Sequence, residues 1–492
     1  MRNNFNSPPI KGWVWTRLGE VCETTSGGTP SRKNITYFGG SIPWLKSGEL
    51  ENKVIKSSEE FITEEGLRNS STKVIPKGAI LIALYGATVG KLGVLEIEAA
   101  INQAICAILP SFHLNHQFLF WYLDSYRKKL LNARKGGAQP NISQLIVNNV
   151  PLPLPPLAEQ QRIVARIEEL FTKLDAGVAA LKKVKAQLKR YRQAVLKYAF
   201  AGKLTEEWRE THKNELEPAA VLLEQIKAER KKAAKGKYKE MPPLDTSDLP
   251  EIPDGWVWTR VGEIGIVNPK FNAQLTPNDM DVTFLPMKCV EELTGHINLS
   301  LLKKVSEVKK GYTSFINGDI LFAKITPCME NGKVAIADGL RNGIGFGSTE
   351  FHVIRLNERI SRKLIFYFLI RSELRKDAQR NMKGTAGQLR VPQNYIIELI
   401  VPLPSYSEQH QIVEEIERRF SIVDEVEKIM EQSLKQAERL RMSILKRAFE
   451  GKLVPQDPDD EPAEKLLERI KKEKRKNLKE VMLNGEKPTR MV

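Results

Sequence analysis

Several groups of residues in this sequence carry side chains that do chemistry, and their spacing decides against each as a catalytic centre. GATVGK (Gly86 to Lys91) resembles a phosphate-cradling loop, but three residues rather than four separate its glycines, and Leu92 stands where a Ser or Thr would hold magnesium. Gly343, Gly345 and Gly347 are close together, yet neither the spacing of a dinucleotide fingerprint nor its distal acid follows, so they read as a turn. His113 and His116 fall on a segment that reads as helical, with no convergent carboxylate or thiolate pattern to complete a metal site. Cys22, Cys106, Cys289 and Cys328 form no C-x-x-C pair, which argues against a zinc site or a disulfide framework and leaves them as core residues. PDDEPAEK (Pro458 to Lys465) has the acids and the lysine of a nuclease set, but reads as a polar linker where no pocket would exclude water. The expectation is a chain with no catalytic residues and no metal.

What remains is charge. The 492 residues carry a formal net charge of +16, with 41% hydrophobic and 28% charged residues. Lys and Arg that neutralise phosphates release condensed counterions, so a polyanionic partner fits, although a solvated basic surface would give the same composition. The length suggests about three domains. The longest uncharged apolar run, around Leu364 to Ile370, is far below the ~20 residues of a membrane helix. The N-terminus is polar, without the apolar stretch of a signal peptide, and a cytoplasmic location is expected.

The elements that would position donors toward such a polyanion come from a duplication. GWVWTRLGE (Gly12 to Glu20) returns as GWVWTRVGE (Gly255 to Glu263), PLPPLAEQQRIV (Pro153 to Val164) as PLPSYSEQHQIV (Pro402 to Val413), and AVLKYAFAGKL (Ala194 to Leu204) as SILKRAFEGKL (Ser443 to Leu453). EPAAVLLEQIKAER from Glu217 reappears as EPAEKLLERIKKEK from Glu461. Between these blocks, Val21 to Pro140 and Ile264 to Leu389 share only a skeleton. KGAILIALYGATVGKLGV (Lys77 to Val94) aligns with NGDILFAKITPCMENGKVAI (Asn317 to Ile336), and GGAQPNI (Gly136 to Ile142) with TAGQLRV (Thr385 to Val391). Repeated segments should do one job twice, and diverged segments two different jobs.

After each PLP block an apolar seam runs at heptad steps: Ile163, Ile167, Leu170, Leu174, Leu181, Val184, Leu188, Tyr191 and Val195, then Ile412, Ile416, Val423, Val426, Met430, Ala437, Leu440 and Ile444. Arg419 and Ser433 occupy two slots of the second seam, and Gly177 one of the first. Pro155, Pro156 and Glu159 supply start signals, and Gly202 and Gly451 stop signals. Each helix should be about 60 Å long at 1.5 Å per residue, and its apolar stripe must be buried. The other copy is the natural partner, and an antiparallel arrangement is expected because parallel helices would crowd the two globular domains together. The charged segments Lys227 to Lys239 and Lys465 to Lys479 read as solvated helix ends, the first leading into a linker, Met241 to Gly255.

The paired PLPPLAEQ and PLPSYSEQ entries, the AGKL and EGKL exits, SGGTP (Ser26 to Pro30) and the duplicated GWVWTR resemble the specificity subunit of type I restriction-modification systems over essentially the whole chain. The resemblance implies an α+β protein. Two α/β target recognition domains would be separated by two long helices forming an antiparallel coiled coil, with an internal pseudo-two-fold repeat. The division would be a first recognition domain 1–152, a central helical spacer 153–205, a charged helix and linker 206–254, a second recognition domain 255–401, a distal helical spacer 402–454 and a charged tail 455–492. It also implies binding of double-stranded DNA at a split, asymmetric site. Two modification (methyltransferase) subunits and restriction (translocase and nuclease) subunits would be partners, with S-adenosylmethionine, ATP and magnesium bound on those partners and no cofactor in this chain. The [ND]-P-P-[YF] motif of the modification subunits is absent from the sequence.

Base readout needs forked donors and amides on loops, with other cations and aromatics fixing the phosphate register. The candidates in the first domain are Arg32, Lys33, Tyr37, Lys46, Tyr85, Lys91, Gln139 and Asn141; in the second they are Lys288, Tyr312, Lys324, Lys333, Arg341, Gln388 and Arg390. Trp13, Trp15, Trp256 and Trp258 recur too regularly to read different sequences, so core packing or a shared helix–domain contact is expected of them. A coiled-coil scaffold that never touches DNA is the alternative, and a self-contained DNA-modifying enzyme a third.

Overall fold

The computed structural model describes residues 11–51, 53–111, 113–132, 141–233, 240–270, 276–385 and 387–483. It divides into two compact units, Met1–Leu181 with Gln432–Val492, and Lys182–Glu431. The division falls inside two long helices, Leu157–Phe200 and Tyr406–Phe449, each of 44 residues. Each unit therefore takes the start of one long helix and the end of the other.

The globular part of each unit is built from short strands in two sheets of matching strand order, except that among the described residues the first unit has an additional edge strand, Lys53–Ile55. In the first, Thr24–Ser26, Ile105–Ile108, Ile80–Ala83, Leu92–Leu95 and Lys53–Ile55 lie side by side in that order, and a second sheet runs Glu60–Ile62, Phe38–Leu45, Ala99–Ile101, Val74–Ile75. The second unit repeats this with Gly265–Val267, Phe351–Leu356, Ile320–Ala323, Val334–Ile336 and with Leu302–Lys304, Asp281–Leu285, Ile344–Gly347, Thr313–Ile316. One parallel pair recurs at the same place: Phe38–Leu45 with Ala99–Ile101, and Asp281–Leu285 with Ile344–Gly347.

The central strands show why ILIA and ILFA are continuous apolar runs. Side chains alternate across a strand, so Ile80 and Ile82 enter the core that includes Phe118 and Ile163, while Leu81 and Ala83 enter another with Leu45 and Ile101. Ile320 and Phe322 face Ile412 and Ile416, and Leu321 and Ala323 face Leu285 and Phe315. A strand buried on both faces has no polar side.

The repeated blocks form the mount between domain and helix. Val14–Arg17 pairs antiparallel with Pro151–Leu154 and Val257–Arg260 with Ile400–Leu403, Val14 opposite Leu154 and Val257 opposite Leu403. The buried Trp13 indole donates to Glu159 Oε2 at 2.9 Å and Trp256 to Glu408 Oε2 at 2.7 Å. The next residue ties the helix start to the domain: Gln160 Oε1 accepts from Asn115 N at 2.9 Å, and Gln409 Oε1 from Ser361 N at 2.8 Å. Both helices end in the same left-handed glycine cap: Gly202 (φ +69°) and Gly451 (φ +65°) allow Lys203 N to reach Tyr198 O at 3.0 Å and Lys452 N to reach Arg447 O at 2.8 Å.

The long helices pair antiparallel within each unit. In the first, Arg441 pairs with Asp175 and lies 4.1 Å over the Phe171 ring, while Ile163 and Val164 share a core with Leu445 and Ala448. In the second, Lys185 meets Glu431 at 3.6 Å, and Arg192 meets Glu427 at 3.0 Å and Asp424 at 2.5 Å and lies 5.0 Å over Phe420. These are one clasp twice, since Phe171, Asp175 and Arg192 recur 249 positions later as Phe420, Asp424 and Arg441.

The seam is uneven. Ile163, Ile167, Ile412, Ile416, Val423, Met430 and Ile444 are buried, Leu170, Leu174, Leu181, Leu188 and Val426 half-buried. Val184 and Leu440, expected in the seam, are 38% and 49% exposed, as is Tyr191 at 41%. The physical reason is that two helices alone shield only a narrow strip. Burial is most continuous near the helix ends, where domain side chains add a third wall, and further along the seam Val423 and Met430 are also buried.

The charged segments after each long helix are not simply solvated. Helix Ala219–Ala233 buries Ala219, Leu222, Leu223 and Ile226 in the core of the second unit, and helix Ala463–Leu483 buries Leu466 and Ile470 in that of the first. Their charges pin them down: Lys227 pairs with Glu263 at 3.4 Å and Lys471 with Glu20 at 3.1 Å, while Arg162 holds Asp460. Within Lys465 to Lys479 the buried Leu466 and Ile470 correct the expectation of a solvated helix end, whereas the buried residues of helix Ala219–Ala233 all precede Lys227.

Candidate nucleic-acid interface

Two of the four positive groups nominated on the first domain, Arg32 and Lys46, converge on one carboxylate. Arg32 Nη2 and Lys46 Nζ each donate to Glu60 at 2.8 Å, and the Arg32 guanidinium lies 4.6 Å over Phe38 and 5.3 Å over Trp44. The Lys46 hydrogen bond holds the Glu60 carboxyl below its ordinary value, and Glu60 raises that of Lys46. Two cations are thus held extended at the surface by a charge and two rings. Lys33 is exposed, Tyr37 half-buried, and Asn141 exposed beside buried Ile142. Tyr85 packs against the core, and Gln139 lies outside the described residues.

The glycine-rich Gly86 to Lys91 segment is a tight turn whose last three amides are bonded within the protein. Val89 N donates to Gly86 O, Gly90 N to Ala83 O and Lys91 N to Thr88 O, at 3.2, 2.8 and 2.9 Å. Those three N–H groups are occupied, and the Lys91 side chain is half-buried.

In the second domain Lys324, Gln388 and Arg390 are brought together, and the other candidates are not. Lys324 N donates to Glu350 O at 2.9 Å, and Val391 N to Lys324 O at 2.8 Å. Arg390 pairs with both Glu350 oxygens, and its Nη1 donates to Gln388 O at 3.0 Å. Arg390 holds the Glu350 carboxyl below its usual value. Behind them His352 is buried, its Nε2 2.8 Å from Val391 O, and burial lowers its pKa, favouring a neutral imidazole. Lys288 and Arg341 are exposed elsewhere, and Tyr312 stands edge-on to Phe284 at 5.0 Å. Lys333 is half-buried, and its Nζ donates to Met287 O at 3.3 Å and to Val290 O at 2.9 Å.

The carboxylates Glu60 and Glu350 were missed by sequence reasoning, which searched for cations alone. An acid in a basic loop region was the available signal. Among the described residues, no group of three or more His, Cys, Asp or Glu residues could hold a metal ion. Burial pushes the Cys22 and Cys106 thiols up to about 12, as expected of core residues. Among the described residues, no helix is long and apolar enough to cross a membrane.

Residues 10–190 and 253–439 match the family model described as type I restriction modification DNA specificity domain. The type I restriction enzyme EcoAI specificity subunit of Escherichia coli is 34% identical over 348 residues, 61% of this chain and 58% of that protein. The match thus spans under two thirds of that relative. The EcoDI specificity subunit of Escherichia coli is 28% identical over 471 residues, covering 94% of this chain and 95% of the relative. A chain solved in work on complex assembly and conformational transition of the type I R-M system superimposes with a TM-score of 0.65 at 19% identity, covering 90% of this chain and 99% of its own, which shows a shared fold. Two copies of one mount, each carrying its own matched domain, place this chain in the family of type I restriction-modification DNA specificity proteins.

Proposed function

We propose that this chain is the sequence-reading subunit of a type I restriction-modification enzyme. Its two domains bind the two unlike halves of an asymmetric site on double-stranded DNA, and the chain has no catalytic centre of its own. The helices dock two modification subunits and, through them, restriction subunits. S-adenosylmethionine, ATP and magnesium then act on those partners. The observation that carries this reading is the contrast within each unit: Trp13–Glu159 and Trp256–Glu408 repeat the mount, while the loops bearing Asn141 and Arg390 differ. A reader of one split sequence needs identical mounts and dissimilar contact surfaces.

The test is to exchange Val21 to Pro140 for the equivalent segment of a relative, within the complete enzyme, and map methylated adenines. One half of the site should change and the other persist. A change in both halves, or DNA binding by the complex without salt dependence, refutes the reading, since phosphate contacts must give a salt slope.

A further inference from the structure

Three positions of the two domains correspond beside one loop, because the same two backbone hydrogen bonds link them in each. Leu84 N donates to Ala104 O at 2.8 Å and Ile142 N to Leu84 O at 2.7 Å; Lys324 N donates to Glu350 O at 2.9 Å and Val391 N to Lys324 O at 2.8 Å. Ile142 and Val391 are both buried, at 2% and 1% exposure. Asn141 therefore occupies the position of Arg390, and Ala104 that of Glu350. Both positions change together: the domain that has the arginine has the carboxylate, and the other has neither.

The geometry of the second domain gives that pair a purpose. The backbone of Arg390 is fixed, its N and O each bonded to Lys383 at 2.9 Å. Glu350 takes Nε and Nη2, with nitrogen–oxygen distances from 2.8 to 3.2 Å, and Gln388 O takes one N–H of Nη1. The Arg390 side chain is nonetheless 40% exposed. A guanidinium has five N–H donors, so one on each terminal nitrogen has no partner among the described residues. Two parallel donors are what the O6 and N7 acceptors of guanine take. An ion pair serving only to fasten the loop would duplicate what the Lys383 backbone bonds already do, and the first domain anchors its loop with Ala104 in place of the acid.

We propose that Arg390 reads a guanine in the half-site of the second domain, that Glu350 is its positioning residue, and that positions 141/390 with 104/350 are where the base preferences of the two domains diverge. This rests on the DNA-reading function proposed above. Asn141 supplies the amide donor and acceptor that suit adenine, and a neutral amide needs no carboxylate to orient it.

The test uses the full-length chain with its modification subunits and a library of duplexes randomised over 40 base pairs. Bound sequences are selected and read for wild type, R390K and E350Q, with melting temperatures measured alongside. In R390K, which keeps the charge and loses the fork, discrimination at one G·C pair of one half-site should fall roughly tenfold or more. In E350Q it should fall by less, at the same pair, and the other half-site should be unchanged in both. Selection of the wild-type sequence by R390K overturns the proposal in favour of a loop fastener. An equal loss of affinity for all sequences overturns it in favour of a phosphate contact. A wild-type complex that enriches no sequence overturns the DNA-reading function itself, and is distinguishable from both.

Discussion

Replacing Glu408 with Gln should destabilise the second unit several times more than Glu159→Gln destabilises the first, although the two glutamates occupy the same place in the repeat. Glu408 is fully buried and accepts from Trp256 Nε1 at 2.7 Å, Thr205 Oγ1 at 2.8 Å and Arg209 Nε at 2.9 Å, with the Arg209 side chain only 12% exposed. Removing the charge leaves a nearly buried guanidinium without its counterion, which costs about 3–5 kcal/mol. The Gln oxygen recovers about 1 kcal/mol of that as a hydrogen-bond acceptor. Glu159 is 1% exposed and accepts from Trp13 alone; its Oε1 has no hydrogen-bond partner among the described residues. Val454 and Pro458 stand 249 positions after Thr205 and Arg209, so the extra donors are missing from the sequence. Gln there keeps the indole acceptor and removes an unpaired charge, so the change should lie within about 1 kcal/mol of zero. Urea unfolding of the full chain, followed by tryptophan fluorescence and fitted with one transition per unit where two are resolved, measures both. Adding R209M to E408Q should recover most of the loss. Equal costs for the two substitutions, or a double variant no better than E408Q, would refute the reasoning.

Glu159 also gives a pH signature. Burial raises its pKa above the ordinary 4.5, with the Trp13 hydrogen bond and the Arg162 charge opposing and the Asp460 charge reinforcing. A raised carboxyl leaves the native state holding a proton that the unfolded state has released, so stability falls as pH rises from about 4.5 through the folded value; E159Q should remove that slope, which parallel urea titrations at several pH values will show. Leu466→Ala, at a position 1% exposed in the first unit's core, should cost about 2–5 kcal/mol; a cost under about 0.5 kcal/mol would mean that the last helix is not part of that core. Arg441→Ala and Arg192→Ala should each cost about 0.5–1.5 kcal/mol, from the lost ring contact and a partly exposed ion pair. Thermal unfolding that moves for only one of them would break the equivalence of the two clasps.

The sequence by itself determined the duplicated plan, because a repeat needs no coordinates: GWVWTR and the Glu-Gln pair recur in order, and the heptad seam with its terminal glycines states the helices and their ends. It also excluded the phosphate loop at Gly86, since loop chemistry depends on spacing within a few residues. Only the tertiary structure decided which cations are at work inside the protein. Lys333 and Arg390 are both basic residues close to turns, yet one caps carbonyls and the other is clamped by Glu350, 40 positions away. It likewise decided that Val184 and Leu440 stay partly in water and that lysine-rich helices such as Ala463–Leu483 bury an apolar stripe. The physical reason is common to these cases. Periodicity and spacing record what a segment can do with its own neighbours, whereas burial and charge pairing depend on surfaces that lie tens to hundreds of residues away in sequence.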